Sequence, residues 1–270
     1  MPRSGAFIAT CAFLACLLLL ALLAHWLVPA DPYRVDPLQA FLPPSGQHWF
    51  GTDGLGRDVF ARVMYGARVS LAVGFITVAI SSTLGVALGM TAGWFGSWVD
   101  SALMRLVDIV MSIPTFFLIL SVVAFLKPGI GNIILILGLT SWMGTARLMR
   151  AETMRIRDLD YILAARIAGT GGPRMLLRHV LPNAIAPVVV TATLGVAGAI
   201  MAESGLSFLG LGVQPPTASW GSMLRDGKET LDLAWWISIF PGLAILLTVL
   251  SLNVLGESLR QYLDPRGATL

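Results

Sequence analysis

Histidine and cysteine are the residue types that most often bind metals or act as nucleophiles, and neither forms a cluster along this chain. His25, His48 and His179 are scattered and lack the spacing of metal ligands. Cys11 and Cys16 lie five residues apart in an apolar segment, which on a helix places them on different faces. The sequence therefore predicts neither a metal site nor a disulfide.

The segment 221–229 is the nearest approach to an ATP-binding loop. Its glycine and lysine spacing is wrong, and Glu229 stands where a serine or threonine would bind magnesium. No serine or cysteine is accompanied by a base that would make it a nucleophile. We therefore predict no catalytic residue and no cofactor in this chain, and we expect that it does not hydrolyse ATP itself.

The composition indicates a chain that is mostly surrounded by lipid. Hydrophobic residues make up 56% of 270 and charged residues only 12%, and the mean hydropathy is +0.79. A soluble domain has about 25% charged residues. The net charge of +3 is better explained by arginines in cytoplasmic loops than by nucleic-acid binding.

Six segments are long and apolar enough to span a bilayer, which requires about 20 residues per helix. The first is too long for a typical signal peptide and ends near Trp26, so we expect a retained anchor. The predicted spans are 7–29, 69–93, 103–126, 130–149, 184–204 and 234–256.

The distribution of arginines predicts the orientation, because cytoplasmic loops are enriched in them. The segment from the end of the fourth span to the fifth span holds seven arginines, which places this segment and both chain termini in the cytoplasm. The connection 30–68 carries four arginines on the opposite side, a mild violation that its aspartates partly offset. The seven arginines are Arg147, Arg150, Arg155, Arg157, Arg166, Arg174 and Arg178.

Gly85, Gly89 and Gly93 recur every four residues in the second span and form a stripe on one helix face. In lipid, small residues allow two helix backbones to approach closely. We predict a packing contact within the chain, and a contact with another subunit is the alternative.

The arginine-rich connection contains a predicted helix–turn–helix over 158–182. Asp158 or Asp160 is expected to cap a first helix that runs to residue 168, and the glycines at 169–172 to reverse the chain. Pro173 is expected to begin a second helix, and Pro182 to end it. The hairpin is either a docking surface for another protein or an amphipathic hairpin at the membrane surface with no partner.

Two acidic residues in apolar segments are candidates for the translocation path or a gate, because a charge in the bilayer is costly. Asp108 lies in the third span, where Arg105 could instead make it a structural ion pair, and Pro114 is expected to kink that helix. Glu203 lies at the outer end of the fifth span. The glycines in 205–212 are expected to interrupt that helix and form a gate-like piece.

The outer connection is rich in turns, and its charged residues could form a compact network. It is predicted to be either a structural cap over the outer helix ends or a docking surface for another protein. The residues concerned are Gly51, Asp53, Gly56, Arg57 and Asp58.

The hairpin resembles the coupling loop of binding-protein-dependent ABC importer permeases, whose pattern is Glu-Ala-Ala, Gly, Ile and Leu-Pro at fixed spacing. Leu163 stands in place of the family's Glu, and His179 in place of its Ile. The coupling residues that the resemblance implies are Asp160, Ala164, Ala165, Gly169, His179, Leu181, Pro182 and Asn183. The stretches 48–71 and 203–221 are similar to motifs of the dipeptide, oligopeptide and nickel importers.

The resemblance implies an all-α membrane protein with six transmembrane helices and the type I importer permease fold. The expected parts are an anchor helix and external loop at 1–67, a five-helix core at 68–257 and a cytoplasmic tail at 258–270. The chain would be the second permease of a pair in the bacterial inner membrane, with two ATPase subunits that bind ATP and magnesium and an external binding protein. The expected solute is a peptide. Nickel or another small solute, a secondary transporter and a membrane anchor without transport are the alternatives.

Overall fold

The computed structural model describes residues 4–126 and 128–263, and its regular structure there is helical. Thr52 and Asp58 form an isolated antiparallel bridge, and no named strand occurs in those two ranges. The helices are α1 Ser4–Leu27, α2 Val59–Phe95, α3 Ser97–Met111, α4 Thr115–Phe125, α5 Ile130–Thr140, α6 Met143–Arg157, α7 Asp160–Ile167, α8 Gly172–Met175, α9 Leu181–Phe208, α10 Trp220–Gly227 and α11 Trp236–Leu263.

Within residues 4–126 and 128–263, five helical stretches are long and apolar enough to cross a membrane, and each overlaps one predicted span. Several are longer than predicted, because a helix continues beyond the apolar window that reveals it. α11 runs to Leu263, whereas the last seven residues of the predicted tail lie outside the described residues. The five stretches are Phe7–Leu27, Val59–Phe95, Ile130–Arg157, Gly172–Phe208 and Trp236–Leu263.

The third predicted span, 103–126, is not one continuous helix. α3 ends at Met111, α4 begins at Thr115, and their axes are bent by 79°. Pro114 explains the break, because proline has no N–H to donate and disfavours helical geometry in the residue before it. The expected kink at Pro114 is therefore a complete interruption between two helices.

The chain divides into two compact units. Unit 1 consists of Met1–Ile76, Leu126–Ile134 and Gly195–Leu255, and unit 2 of Thr77–Phe125, Leu135–Leu194 and Gly256–Leu270. Four of the five divisions fall within α2, α5, α9 and α11, so each of these helices contributes residues to both units.

In unit 2 the glycine stripe of α2 packs directly on the backbone of α6. A Cβ atom added to Gly93 would lie 2.7 Å from the carbonyl oxygen of Arg150, and one added to Gly85 would lie 2.6 Å from Cβ of Thr145. A Cβ on Gly89 would overlap the carbonyl of Ala146. The predicted packing contact within the chain is confirmed, and only glycine permits this distance between the two helices.

Two ion pairs join α6 to α3 in the same unit. Asp100 accepts hydrogen bonds from both Nε and Nη2 of Arg150, and Oδ1 of Asp108 lies 2.5 Å from Nη2 of Arg147. The prediction that Arg105 could pair with Asp108 was therefore wrong. Arg105 is a neighbour along the same helix, but the pair forms between helices.

We predict that Gly89→Ala destabilises the protein, because its methyl group would overlap the α6 backbone and force the helices apart. Overpacking of this kind costs about 1–3 kcal/mol. Gly144→Ala on α6 is the matched control, because nothing lies within 4 Å of a Cβ there. The thermal unfolding midpoint of the detergent-purified protein should fall for Gly89→Ala only. Equal midpoints for the two variants would contradict this packing.

Candidate functional site

The helix–turn–helix predicted over 158–182 is present in unit 2, and its first arm is α7. Leu159 occupies the N-cap position of α7 and makes no side-chain capping hydrogen bond. The predicted caps were therefore wrong: Asp158 pairs with Arg157 at 3.4 Å, and Asp160 is already in the first helical turn. A carboxylate in that turn still stabilises the helix through the helix dipole.

The turn of the hairpin depends on Gly169, as the sequence predicts. Gly169 has φ +84°, a conformation that glycine adopts without strain. Its N–H donates to the carbonyl of Arg166 at 3.0 Å, and the N–H of Thr170 donates to the carbonyl of Ala165 at 3.1 Å. This pair of bonds is the Schellman arrangement, which ends α7 and reverses the chain.

The second arm differs from the prediction of a helix that ends at Pro182. α8 is followed by a π-helical turn, Leu176–Val180, which leads directly into α9. Pro182 therefore lies in the first turn of a continuing helix. The wider π turn before it gives room for a residue that cannot donate a backbone hydrogen bond. Nδ2 of Asn183 donates to the carbonyl of His179 at 2.7 Å, so this oxygen has a donor.

Apolar packing fixes the hairpin to the rest of unit 2. Ile162 on α7 and Met175 on α8 are buried, and they belong to one cluster with Met149 and Ile156 of α6. Burial of each such side chain contributes about 1.5–3 kcal/mol. The hairpin is thus attached to the helix that packs on the glycine stripe.

Polar contacts add to this attachment. Nη1 of Arg157 donates to the carbonyl oxygens of Gly93 at 2.9 Å and Trp94 at 3.3 Å, both at the end of α2. The guanidinium of Arg166 lies 5.3 Å from the ring centroid of Trp94, a cation–π contact. Arg166 therefore contacts its own chain.

The opposite surface of the hairpin is exposed and largely apolar. Ile167 is 88% exposed and Leu177 64% exposed, and Leu163 and Ala164 are also exposed. The sequence analysis missed Ile167 and Leu177, although large apolar residues beside the glycine turn of a polar loop are a usable signal. Of the predicted coupling residues, Ala165, His179 and Leu181 are half-buried, and the exposed ones are Asp160, Ala164, Gly169, Pro182 and Asn183.

The charged residues of the outer connection are inside unit 1. Asp53 and Arg57 form a buried ion pair at 2.7 Å, as expected. Asp58, the third charged residue of the expected network, pairs with His48 instead. The network also includes Arg62, only 2% exposed, and Asp226, which lies 3.4 Å from Arg57. These side chains hold the connection together, and Asp53, Arg57 and Arg62 are themselves too buried to contact a docking protein.

The other residues predicted for docking are framework residues as well. Gly51 and Gly56 are buried and have φ +72° and +70°. Asp58 lies 2.8 Å from Nδ1 of His48 and accepts a hydrogen bond from the N–H of Ala61 at the start of α2. The connection also exposes large apolar residues, which include Leu38, Trp49 and Leu55.

Glu203 is completely buried in unit 1, where three serine hydroxyls donate to its carboxylate. Ser207 and Ser219 donate to Oε1 at 2.7 and 2.8 Å, and Ser70 donates to Oε2 at 3.2 Å. The serines come from α2, the end of α9 and the N-cap of α10. The carboxylate thus links three elements, and within the described residues it does not reach the surface.

Each of these serine oxygens also accepts a backbone hydrogen bond. Ser207 accepts from Val213 at 3.0 Å, Ser70 from Trp220 at 3.2 Å, and Ser219 from Ser222 in a capping box. The glycines at 205–212 were expected to interrupt the helix, but α9 continues through residue 205 and ends only at Phe208. These three serines and Glu203, which we call the serine cage, therefore determine the path of the chain from α9 to α10.

Across the part of the chain that the structure describes, no three His, Cys, Asp or Glu side chains are grouped as a metal site would need.

We predict that Glu203→Ala lowers the free energy of unfolding by at least about 2 kcal/mol, because buried hydroxyls without a partner cost about 1–3 kcal/mol each. Glu203→Gln should be milder, because its carbonyl oxygen can still accept from Ser207 and Ser219. Thermal midpoints of the two purified variants test this. If alanine is tolerated as well as glutamine, the cage does not stabilise unit 1.

Comparison with known proteins identifies the group to which the chain is related. A protein of Brucella suis biovar 1 (strain 1330), named putative peptide transport system permease protein, is 41% identical over 266 residues, which cover 98% of this chain and 90% of the relative. The dipeptide transport system permease protein DppC of Bacillus subtilis (strain 168) is 42% identical over 251 residues, 93% of this chain and 78% of the relative.

Solved structures show the same fold. The MetNI methionine ABC transporter in an inward-facing conformation matches with a TM-score of 0.58 at 16% identity, over 75% of this chain and 96% of that chain. An amino acid ABC transporter with histidines matches with a TM-score of 0.56 at 14% identity, over 75% and 94%. The family described as binding-protein-dependent transport system inner membrane component matches residues 85–268. The chain belongs to this family of ABC importer permeases, with the all-α fold that the sequence predicts.

Proposed function

We propose that this chain is one of two permeases in an ATP-driven importer of di- or oligopeptides, and that it forms half of the translocation pathway. The observation that carries the proposal is the hairpin, which is fixed to α6 on one side and exposes an apolar surface on the other. The relatives named as peptide permeases support the choice of solute.

The hairpin lies on the cytoplasmic side of the bacterial inner membrane in this proposal, with both chain termini. The seven arginines between residues 147 and 178 support this orientation. Two ATPase subunits bind ATP and magnesium and contact the hairpins of this chain and of a homologous second permease. Binding of ATP must favour one conformation of the importer over the other, because a ligand shifts an equilibrium only through differential affinity.

The hairpin surface specifies the chemistry of its contact with the ATPase. Leu163 replaces the glutamate of the family pattern, and Arg166 is directed to Trp94. The contact is therefore mainly apolar, made by Leu163, Ala164 and Ile167. Such a contact is stabilised by buried area and depends little on salt concentration.

The outer connection docks the substrate-binding protein through its exposed apolar residues. Leu38 is 96% exposed, and Trp49 and Leu55 are also exposed. The buried network of Asp53 and Arg57 holds this surface in place without taking part in the contact.

We predict that Ala164→Arg reduces peptide uptake by at least about tenfold, which corresponds to roughly 1.4 kcal/mol of lost docking energy. A long charged side chain at this exposed position should prevent close approach of the ATPase without disturbing the chain. The measurement is uptake of a labelled dipeptide, together with the amount of ATPase that purifies with the tagged permease.

Ala151→Arg is the matched control, because Ala151 is an exposed alanine on α6 outside the hairpin. It should retain uptake and ATPase. Unchanged uptake in Ala164→Arg would refute coupling through this surface.

A further inference from the structure

A cavity of about 520 Å³ lies in unit 2 beside the hairpin. Its walls come from the last turns of α6, the first turns of α9 and the end of α11. Sites for small molecules have volumes of about 300–1,000 Å³, so this cavity is large enough for a short peptide.

The acidic group of the cavity is Glu152, and one of its oxygens is unused. Arg155 donates to Glu152 through Nε at 3.0 Å and Nη2 at 2.7 Å, and both bonds end on Oε2. Oε1 has no hydrogen-bond donor among residues 4–126 and 128–263. A carboxylate oxygen in this state is an acceptor for an ammonium group.

Arg155 is engaged by Glu152, and the other basic group that lines the cavity is Arg260. Its one contact with a carboxylate in the described chain is with Glu257, at 3.6 Å, which is too long for a hydrogen bond. The guanidinium has five N–H donors in a planar fork that matches a carboxylate. Arg260 can therefore bind a carboxylate that enters the cavity.

The remaining walls are mostly apolar and include Leu148, Pro187 and Val190. A cavity that combines an unused carboxylate oxygen, an open guanidinium and apolar walls is complementary to a zwitterion with an apolar side chain.

We propose that this cavity binds a short peptide with free termini as it leaves the translocation pathway. Glu152 receives the terminal ammonium, Arg260 the terminal carboxylate, and the apolar walls the side chains. This inference rests on the proposed function, since the peptide is the solute proposed there.

Photolabelling of the complete importer in phosphatidylcholine vesicles tests the proposal. The probe is the dipeptide alanyl-p-benzoylphenylalanine, and mass spectrometry measures covalent labelling of the segments around Leu148 and Val190. We expect Glu152→Gln and Arg260→Gln to reduce labelling by about tenfold, as for the loss of a charged hydrogen bond. Glu229→Gln is the control and should keep full labelling, because Glu229 is an exposed residue of unit 1 and does not line the cavity.

Modified probes show which terminus each residue binds. The N-acetylated probe lacks the ammonium group that Glu152 binds, so it should label weakly and be insensitive to Glu152→Gln. The C-amidated probe lacks the carboxylate that Arg260 binds, so it should be insensitive to Arg260→Gln. In each case the probe and the substitution remove the same interaction, so their effects should not add. Equal labelling of the wild type and both variants would overturn the proposal. Loss of labelling when phosphatidylethanolamine is added would also overturn it, in favour of a lipid headgroup.

Uptake of unlabelled dipeptide in the same vesicles separates the two proposals. If the wild type imports dipeptide but Glu152→Gln and Arg260→Gln are labelled as strongly as the wild type, only the proposal that the cavity binds the peptide fails. If the wild type imports no dipeptide, the proposed solute itself is wrong.

Discussion

The close packing of α2 on α6 through three glycines is the constraint on which unit 2 depends. With the two backbones in contact, α6 has no room to move relative to this part of α2, and the hairpin that follows α6 has a fixed base. The contacts of Arg157 with the end of α2 and of Arg166 with Trp94 strengthen the same attachment. A force on the hairpin is therefore transmitted to helices and is not absorbed by a flexible loop.

Unit 1 is held together by different chemistry. Glu203 is a buried acid that accepts three hydroxyl hydrogen bonds, and the serines that donate them belong to different elements. A buried polar network of this kind is favourable only when its members are satisfied, and it then fixes one arrangement of the chain. The network of Asp53, Arg57 and Arg62 has the same character in the outer connection. Apolar packing alone would specify these turns less uniquely.

The sequence was sufficient where structure depends on local composition, and insufficient where it depends on distant partners. Five apolar segments, the glycine stripe and the Gly169 turn were predictable, because hydropathy, residue size and backbone freedom are local properties. The pairing of Asp108 with Arg147 and of Arg57 with Asp226 joins residues far apart in the chain. The serines around Glu203 were likewise invisible as a group. Pro182 was misjudged because the π turn before it accommodates proline within a helix.

The central claim is that the exposed apolar surface of the hairpin contacts the ATPase. The direct test is photo-crosslinking from Ile167→Cys, in a chain whose Cys11 and Cys16 are replaced by alanine, labelled with a benzophenone maleimide in the assembled importer. We expect an adduct with an ATPase subunit whose yield changes when ATP is added, whereas Leu38→Cys in the outer connection should give none. Importers that still transport peptide but form no ATPase adduct from position 167 would contradict it.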